Sequence, residues 1–399
     1  QLTLFAGYMQ SLQDNILLDY RLSYDLTDMD TSPGFFWRED EYLAQVMAYV
    51  DINPQHKLAF GGELSYELHG RKSLLRSDQP STVSPSISLG TDWDTTMYSL
   101  LTEYQWTPNK QWLAVFGGRI DKHSFTPWMF SPRAALIYSP NERDSYKIIY
   151  NRSVRRSDDI DLFRADQLSN EDGETETIDN LELRFEHQHS KPIWLGISAY
   201  YNDHEAVSWD GDTETTTALG KLKSYGMEFE WRYQTESARF SIAHNFSKHL
   251  DFDLTRDTAA NNLSASPYGY GDDFANWSNH SSKLHIEYDI GSVWTTSASL
   301  RIYWDYPGAK DLADYNREQL GGRANLPQYT QSTQAFEKRF YLNAGVERRL
   351  SDTTILRVNA YNLLGLMSDD YNKRNFFQRT TKYSIEAPAI AISLTSQFF

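Results

Sequence analysis

Apolar and polar residues alternate with a period of two along most of this chain. At 224–233, Tyr225, Met227, Phe229, Trp231 and Tyr233 alternate with Ser224, Gly226, Glu228, Glu230 and Arg232. Leu181, Leu183 and Phe185 alternate with Glu182, Arg184 and Glu186. Phe340, Leu342, Ala344 and Val346 alternate with Tyr341, Asn343, Gly345 and Glu347. A helix needs apolar spacings of three and four, which these stretches lack, so they read as strands with one apolar and one polar face. Divided at turn signals, the pattern predicts about seventeen strands, at 2–9, 15–26, 37–52, 57–69, 93–106, 112–120, 132–138, 145–152, 178–188, 193–206, 216–234, 237–250, 280–290, 293–305, 336–349, 354–364 and 388–399.

The connections between these strands fall into two lengths that alternate. Short turns lie at Gln10–Asp14, Asn53–His56, Thr107–Gln111, Ser139–Asp144, His189–Pro192, Thr235–Glu236, Gly291–Ser292 and Leu350–Thr353. Long loops lie at 27–36, 70–92, 121–131, 153–177, 207–215, 251–279, 306–335 and 365–387. Short turns at one end and long loops at the other form the plan of an outer-membrane barrel, with periplasmic turns and extracellular loops. A sandwich or propeller has no reason to sort its loops this way. The fold class expected is all-β, a transmembrane antiparallel β-barrel.

The same order sets direction. Because 10–14 is a short turn, the first strand runs inward from the outside; 388–399 follows a long loop and also runs inward, leaving Phe399 periplasmic. Bacterial single-chain barrels have even strand numbers, so an odd count that starts outside implies an odd number of strands upstream and a break within an extracellular loop. The alternative is one strand missed or invented near 2–9.

Composition narrows the class. The chain has no cysteine, which excludes disulfides and thiolate metal sites. Aromatics make up 14% of the residues although mean hydropathy is only −0.61, as when alternate residues face lipid and aromatics gather at the two interfaces. No apolar run approaches the roughly 18–20 residues of a spanning helix. A net charge of −16 argues against a nucleic-acid partner, but is compatible with outer-membrane lipid and lipopolysaccharide. Gln1 is not an initiator and no leader-like segment follows it, so the chain reads as processed or incomplete.

Several motifs resemble one family in order and spacing. Phe116-Gly117-Gly118-Arg119-Ile120-Asp121 is similar to the "GxRxD" strand of TonB-dependent receptor barrels, and Ser131-Pro132-Arg133-Ala134-Ala135-Leu136 to the family's "SPR-A-L" strand. Tyr138-Ser139-Pro140 and Tyr150-Asn151-Arg152-Ser153-Val154-Arg155-Arg156 resemble its "Y-S/T-P" turn and "YSxxxRxP" strand end, with Ser157 where proline is usual. Gly220 through Tyr225-Gly226-Met227-Glu228-Phe229-Glu230 resembles "NxGxxxxxGxExE", with Leu219 where asparagine is common. Asn359-Ala360-Tyr361-Asn362-Leu363-Leu364 resembles the penultimate "V-x-NLF" strand. The terminal strand, with Leu394, Phe398 and Phe399, resembles a barrel assembly signal, although Gln397 replaces the usual aromatic. The resemblance spans 116–399; residues 1–115 are compatible with it.

The resemblance implies a barrel of about 22 strands with a plugged lumen, of which residues 1–399 are the C-terminal portion. Plug and first strands would be supplied by an upstream stretch or a companion chain, with TonB acting through the plug. It implies energised uptake of a scarce ligand such as an iron–siderophore or haem. A passive outer-membrane channel and a structural component of a larger envelope assembly are the alternatives. No nucleophile or carboxylate pair beside a base is visible, so the chain is read as non-enzymatic, with no cofactor. The candidate ligand-binding residues are Arg155, Arg156, Tyr268, Tyr270, Phe274, Trp277, Trp304 and Tyr306, all in or at the mouths of long loops. Aromatics there stack on ligands or belong to an interfacial girdle, and the arginines attract an anionic ligand or pair with the acidic loop that follows. Asp158, Asp159 and Asp161 open a dense acidic segment that suggests Ca²⁺ or a solvated acidic surface. The ten histidines show no metal-ligand spacing.

Overall fold

A computed structural model describes residues 2–31, 35–70, 93–169, 172–210, 215–254, 277–325, 338–367 and 388–396. Among them are seventeen strands: β1 Leu2–Gln13, β2 Ile16–Thr31, β3 Phe35–Asn53, β4 His56–Gly70, β5 Trp93–Asn109, β6 Trp112–His123, β7 Met129–Tyr138, β8 Asp144–Arg156, β9 Thr175–Ser190, β10 Ile193–Asp210, β11 Thr215–Gln234, β12 Ala238–Leu254, β13 His280–Ile290, β14 Trp294–Trp304, β15 Lys338–Arg349, β16 Thr354–Tyr361 and β17 Ala389–Ser396. Three α-helices join them, α1 Asp159–Ser169, α2 Pro307–Leu320 and α3 Leu363–Met367, together with a 3₁₀ turn, Gly321–Asn325.

The chain divides into two compact units. Unit 1 comprises Gln1–Tyr138, Ile148–Leu181 and His204–Gly220; unit 2 comprises Ser139–Lys147, Glu182–Asp203 and Lys221–Phe399. In unit 1, β1 to β7 pair antiparallel with their sequence neighbours. In unit 2, β12 to β17 do the same.

Register gives each unit an apolar and a polar face, because side chains alternate across a strand. In unit 1, Leu64 pairs with Tyr98, Leu100 with Ile120 and Ile120 with Phe130. These apolar side chains are exposed, Leu100 at 66% and Tyr98 at 61%. In unit 2, β17 presents Ile390, Ile392 and Leu394 to the same kind of face. An apolar face this extensive has no partner within the unit and matches a lipid-facing surface. The opposite face is an acid–base ladder. Arg119 bonds Glu63, Asp121 and Ser99, and Arg133 pairs with Glu103. In unit 2, Arg184 joins Glu186 and Glu230, and Arg357 pairs with Glu347.

Three of the short turns share one chemistry. Asn53 and Asn109 each accept the backbone N–H two residues on, and Asn141 accepts from Arg143 and Asp144. This is the local bond that makes Asn a turn former. The long loops require correction. Strands β2 and β3 continue to Thr31 and from Phe35, and β10 and β11 to Asp210 and from Thr215, so most of 27–36 and 207–215 is strand. Strands β6 and β7 likewise take up much of 121–131. The apolar–polar alternation breaks in these stretches, as in the successive Phe35-Phe36-Trp37 and Met129-Phe130, so it stops before the hydrogen bonding does. The loops 153–177 and 306–335 also contain α1 and α2.

Candidate functional sites at the loop ends of the two units

In unit 1 the polar-face residues beyond the tyrosine row of Tyr24, Tyr42 and Tyr66 converge under α1. Glu67 and His69 alternate on β4, so both point to the polar face. His123 ends β6, and Asp159 opens α1. His69 and His123 are buried. His69 Nε2 lies 3.5 Å from Glu67 Oε2 and 3.8 Å from Asp159 Oδ2, and its Nδ1 lies 3.8 Å from Glu39 Oε1. His123 Nε2 lies 3.6 Å from Asp159 Oδ1, and its Nδ1 accepts the Phe125 N–H. Arg156 spans both carboxylates, reaching Glu67 Oε1 at 3.2 Å and pairing with Asp159 Oδ1.

An apolar layer covers these polar groups. The Trp93 ring stacks on His69 at 4.0 Å and on Phe163 of α1 at 4.5 Å; Leu162 and Ala165 are fully buried. Burial sets the protonation balance. Burial disfavours charge on His69, yet Glu39 and Glu67 outweigh it and raise its pKa. Burial also works to raise Glu67, but His69 and Arg156 hold it below the usual carboxylate range. His123 is pushed down to about 4 by burial and by the Arg156 charge.

In unit 2 the loop-end cluster is tyrosine and arginine. Tyr303 and Tyr341 meet edge to face at 6.1 Å, and Arg301 lies over the Tyr341 ring at 5.2 Å. Tyr306, just past β14, is pushed up to about 12 by burial, against a hydrogen bond with Ser278, with Tyr341, Arg339 and Tyr303 nearby. Asp305, at φ 62°, turns the chain there, and Asn279 donates to its carboxylate at 2.9 Å. At the short-turn end a cavity of about 600 Å³ is lined by residues including Arg239, Glu287, Trp294, Glu347 and Arg357; Arg239–Glu287 and Arg357–Glu347 are ion pairs.

The sequence candidates separate on this frame. Arg156 belongs to the unit 1 cluster, whereas Arg155 pairs with Glu176. Tyr306 belongs to the unit 2 cluster. Trp304 instead packs on His280 and His244, at 5.1 and 5.5 Å, along an edge of the apolar face that also holds Phe246. Trp277 packs on His249 at 4.7 Å. Tyr268, Tyr270, Phe274, Phe398 and Phe399 lie outside the described residues; Leu394 lies on the apolar face. The three carboxylates considered for Ca²⁺ take separate tasks. Asp158 accepts the Ile160 N–H, Asp159 joins the histidine cluster, and Asp161 pairs with Arg164. Glu67, His69 and His123 were not singled out from sequence; the only local signal is the Glu67–His69 alternation at a strand end.

The family-like motifs have structural uses. A side chain at Gly117 would meet Thr102 O at 2.9 Å and the Arg133 side chain at 3.1 Å. One at Gly226 would collide with the Tyr200 hydroxyl at 2.3 Å. Asn362 sits at φ 45°, fully buried, its N–H donating to Asn343 Oδ1 and its Oδ1 accepting from Gly365 as β16 turns into α3.

Sequential antiparallel strands, an exposed apolar face and a charged ladder opposite it define the outer-membrane class of β-protein. The chain belongs to the TonB-dependent receptor family: it matches the TonB dependent receptor-like β-barrel over residues 1–363. The match takes in the first strands as well as the motif-bearing region. No curated protein matches the chain in sequence. Solved structures similar in fold include a point mutant of the ferric enterobactin receptor PfeA of Pseudomonas aeruginosa, 15% identical with TM-score 0.66, covering 99% of this chain and 61% of that one. The siderophore receptor PirA of Acinetobacter baumannii is 13% identical with TM-score 0.66, covering 99% and 62%. The FrpB iron transporter of Neisseria meningitidis is 13% identical with TM-score 0.69, covering 99% and 62%. This chain thus spans about three-fifths of the length of those receptors.

Proposed function

We propose that this chain supplies strand wall and outer loops to an outer-membrane receptor that takes up an iron–siderophore or haem-like ligand. TonB would energise the step through a plug domain carried outside these residues, and lipopolysaccharide would surround the apolar face. Family membership over residues 1–363 carries the reading, and the similar structures bear the names of siderophore receptors and an iron transporter. The Arg301–Tyr303–Tyr306–Tyr341 cluster supports it chemically, since rings and guanidinium groups suit flat, anionic ligands. In the proposed role it borders the path by which the ligand enters.

The test is uptake of labelled ferric siderophores and haem by cells carrying or lacking the complete receptor, under iron limitation. Accumulation that requires the receptor and stops when TonB is inactivated supports the reading. Accumulation indifferent to TonB, with steady conductance of the purified protein in bilayers, would replace it with a passive channel. No receptor-dependent uptake of any of these compounds would leave the envelope-component reading.

A further inference from the structure

We propose that Glu67, His69 and Asp159 form a binding site for a divalent transition metal of the Zn²⁺ type, which fastens helix α1 to the strand ends of unit 1. The inference is independent of the uptake reading and concerns a different cluster from the tyrosines and arginines of unit 2.

The donors come from two elements far apart in sequence. Glu67 and His69 share the polar face of β4, and Asp159 is the first residue of α1. One ligand atom from each lies within 4.8 Å of the others. Bonds of about 2.0–2.2 Å to zinc then require each donor to move by no more than roughly 1 Å, within the reach of small χ rotations.

The oxygens are sorted for such a role. Arg156 lies nearer Glu67 Oε1, at 3.2 Å, than Oε2, at 3.5 Å, and pairs with Asp159 Oδ1, while Glu67 Oε2 and Asp159 Oδ2 are the atoms nearest His69 Nε2. The guanidinium therefore aligns the two carboxylates, with Asp159 Oδ2 and Glu67 Oε2 on the side of the imidazole. On its other side His69 Nδ1 faces Glu39 Oε1 at 3.8 Å. The negative charge on that side favours a proton on Nδ1 and so leaves the Nε2 lone pair for a metal; a carboxylate is a common neighbour of the far nitrogen of ligating histidines.

Two further buried groups border the cluster. His123, whose side chain is fully buried, has no hydrogen bond to its Nε2, which is directed at Asp159 Oδ1 from 3.6 Å. Its Nδ1 already accepts the Phe125 N–H, so Nε2 carries the proton and orients Asp159 rather than ligating. Thr95, the register partner of Glu67 on β5, is 1% exposed with its hydroxyl unpartnered.

Charge agrees with geometry. Glu67 and Asp159 share the one guanidinium of Arg156, which leaves net negative charge beside His69. The mixed imidazole–carboxylate set favours zinc-like ions over Ca²⁺, which takes six to eight oxygens. Burial of His69 under Trp93 fits a structural clamp, because a cargo ion would need an open path.

The test uses the complete receptor, purified in detergent and freed of metal by chelation. Zn²⁺ is titrated by calorimetry, bound metal is counted after gel filtration, and Co²⁺ is added for its visible absorption. The expected result is one tightly bound Zn²⁺ per chain and a Co²⁺ spectrum showing nitrogen ligation. Glu67→Gln and Asp159→Asn should each weaken Zn²⁺ at least tenfold, and Glu39→Gln roughly tenfold. His285→Ala, an exposed histidine of unit 2, should change nothing. Proteolysis within α1, at Arg164, should slow when Zn²⁺ is present. The two amide variants keep side-chain shape, so they decide the matter even where His69→Ala fails to fold. Zn²⁺ affinity unchanged in both amide variants, no binding to the wild type, or equal loss in His285→Ala would each overturn the site.

Discussion

The two units build opposite kinds of chemistry at their loop ends on the same strand pattern. In unit 1, carboxylates and imidazoles are sealed under an apolar lid, with Trp93 between His69 and Phe163. In unit 2, the loop end is tyrosine and arginine, with Arg301 over Tyr341 and Tyr306 beside them. A strand ladder fixes only which residues share a face. What the loop folds back over that face decides whether it becomes a closed polar core or a cluster of rings and guanidinium groups.

The sharpest way to break the comparison is to remove the lid of unit 1. Trp93→Ala deletes both stacks and should cost about 3–5 kcal/mol of local stability. Hydrogen exchange should then show α1 amides opening while β12 to β17 remain protected. Equal loss of protection in both units would show that the lid is not a local device.

Next in size is the ladder of unit 1. Arg119 bonds three partners, Glu63, Asp121 and Ser99. Arg119→Ala leaves two carboxylates facing each other and should cost roughly 1.5–3 kcal/mol, read from denaturant midpoints in detergent.

These two sites also show what the sequence made legible. Arg119 and Asp121 stood out because a strand motif lies within a few residues, and alternation placed them on the polar face. Seventeen strands were readable for the same local reason. Trp93, His69 and Asp159 were not readable as a group, because their meeting depends on where α1 folds back. The helix signals themselves were present. Asp158 accepts the Ile160 N–H as an N-cap, with Leu162 and Ala165 on the buried side. Pro307 opens α2, Ala309 and Ala313 are buried four apart, and Gly321 at φ 53° closes it. Acidic composition hid the first of these helices, and the scarcity of large apolar residues hid the second.

A pH scan separates the clusters on the alkaline side. Tyr306 is raised from 10 to about 12, with burial the leading cause. A raised phenol contributes stability that is present in full below pH 10 and is lost as pH rises toward 12. With Tyr306 partly exposed, the expected contribution is on the order of 1–2 kcal/mol. Wild type should therefore lose its stability advantage over Tyr306→Phe between pH 10 and 12. An advantage that stays constant across that window would place the phenol in a solvated setting.

The smallest effect is expected where unit 2 repeats the ladder of unit 1 in weaker form. Arg357 pairs with Glu347 at 2.6 Å and reaches Thr395 at 3.4 Å, but its side chain is 39% exposed. Water and ions screen such a pair, so Arg357→Ala should cost about 0.2–1 kcal/mol, and less at high salt. Arg119 is exposed to a similar degree, 32%, so exposure alone would predict similar losses for the two arginines. A larger loss at Arg119 would show that stabilisation on the polar face follows the number of fixed partners around each guanidinium. Equal losses would mean that both arginines act as single screened pairs, and that Ser99 and the second carboxylate add geometry without energy.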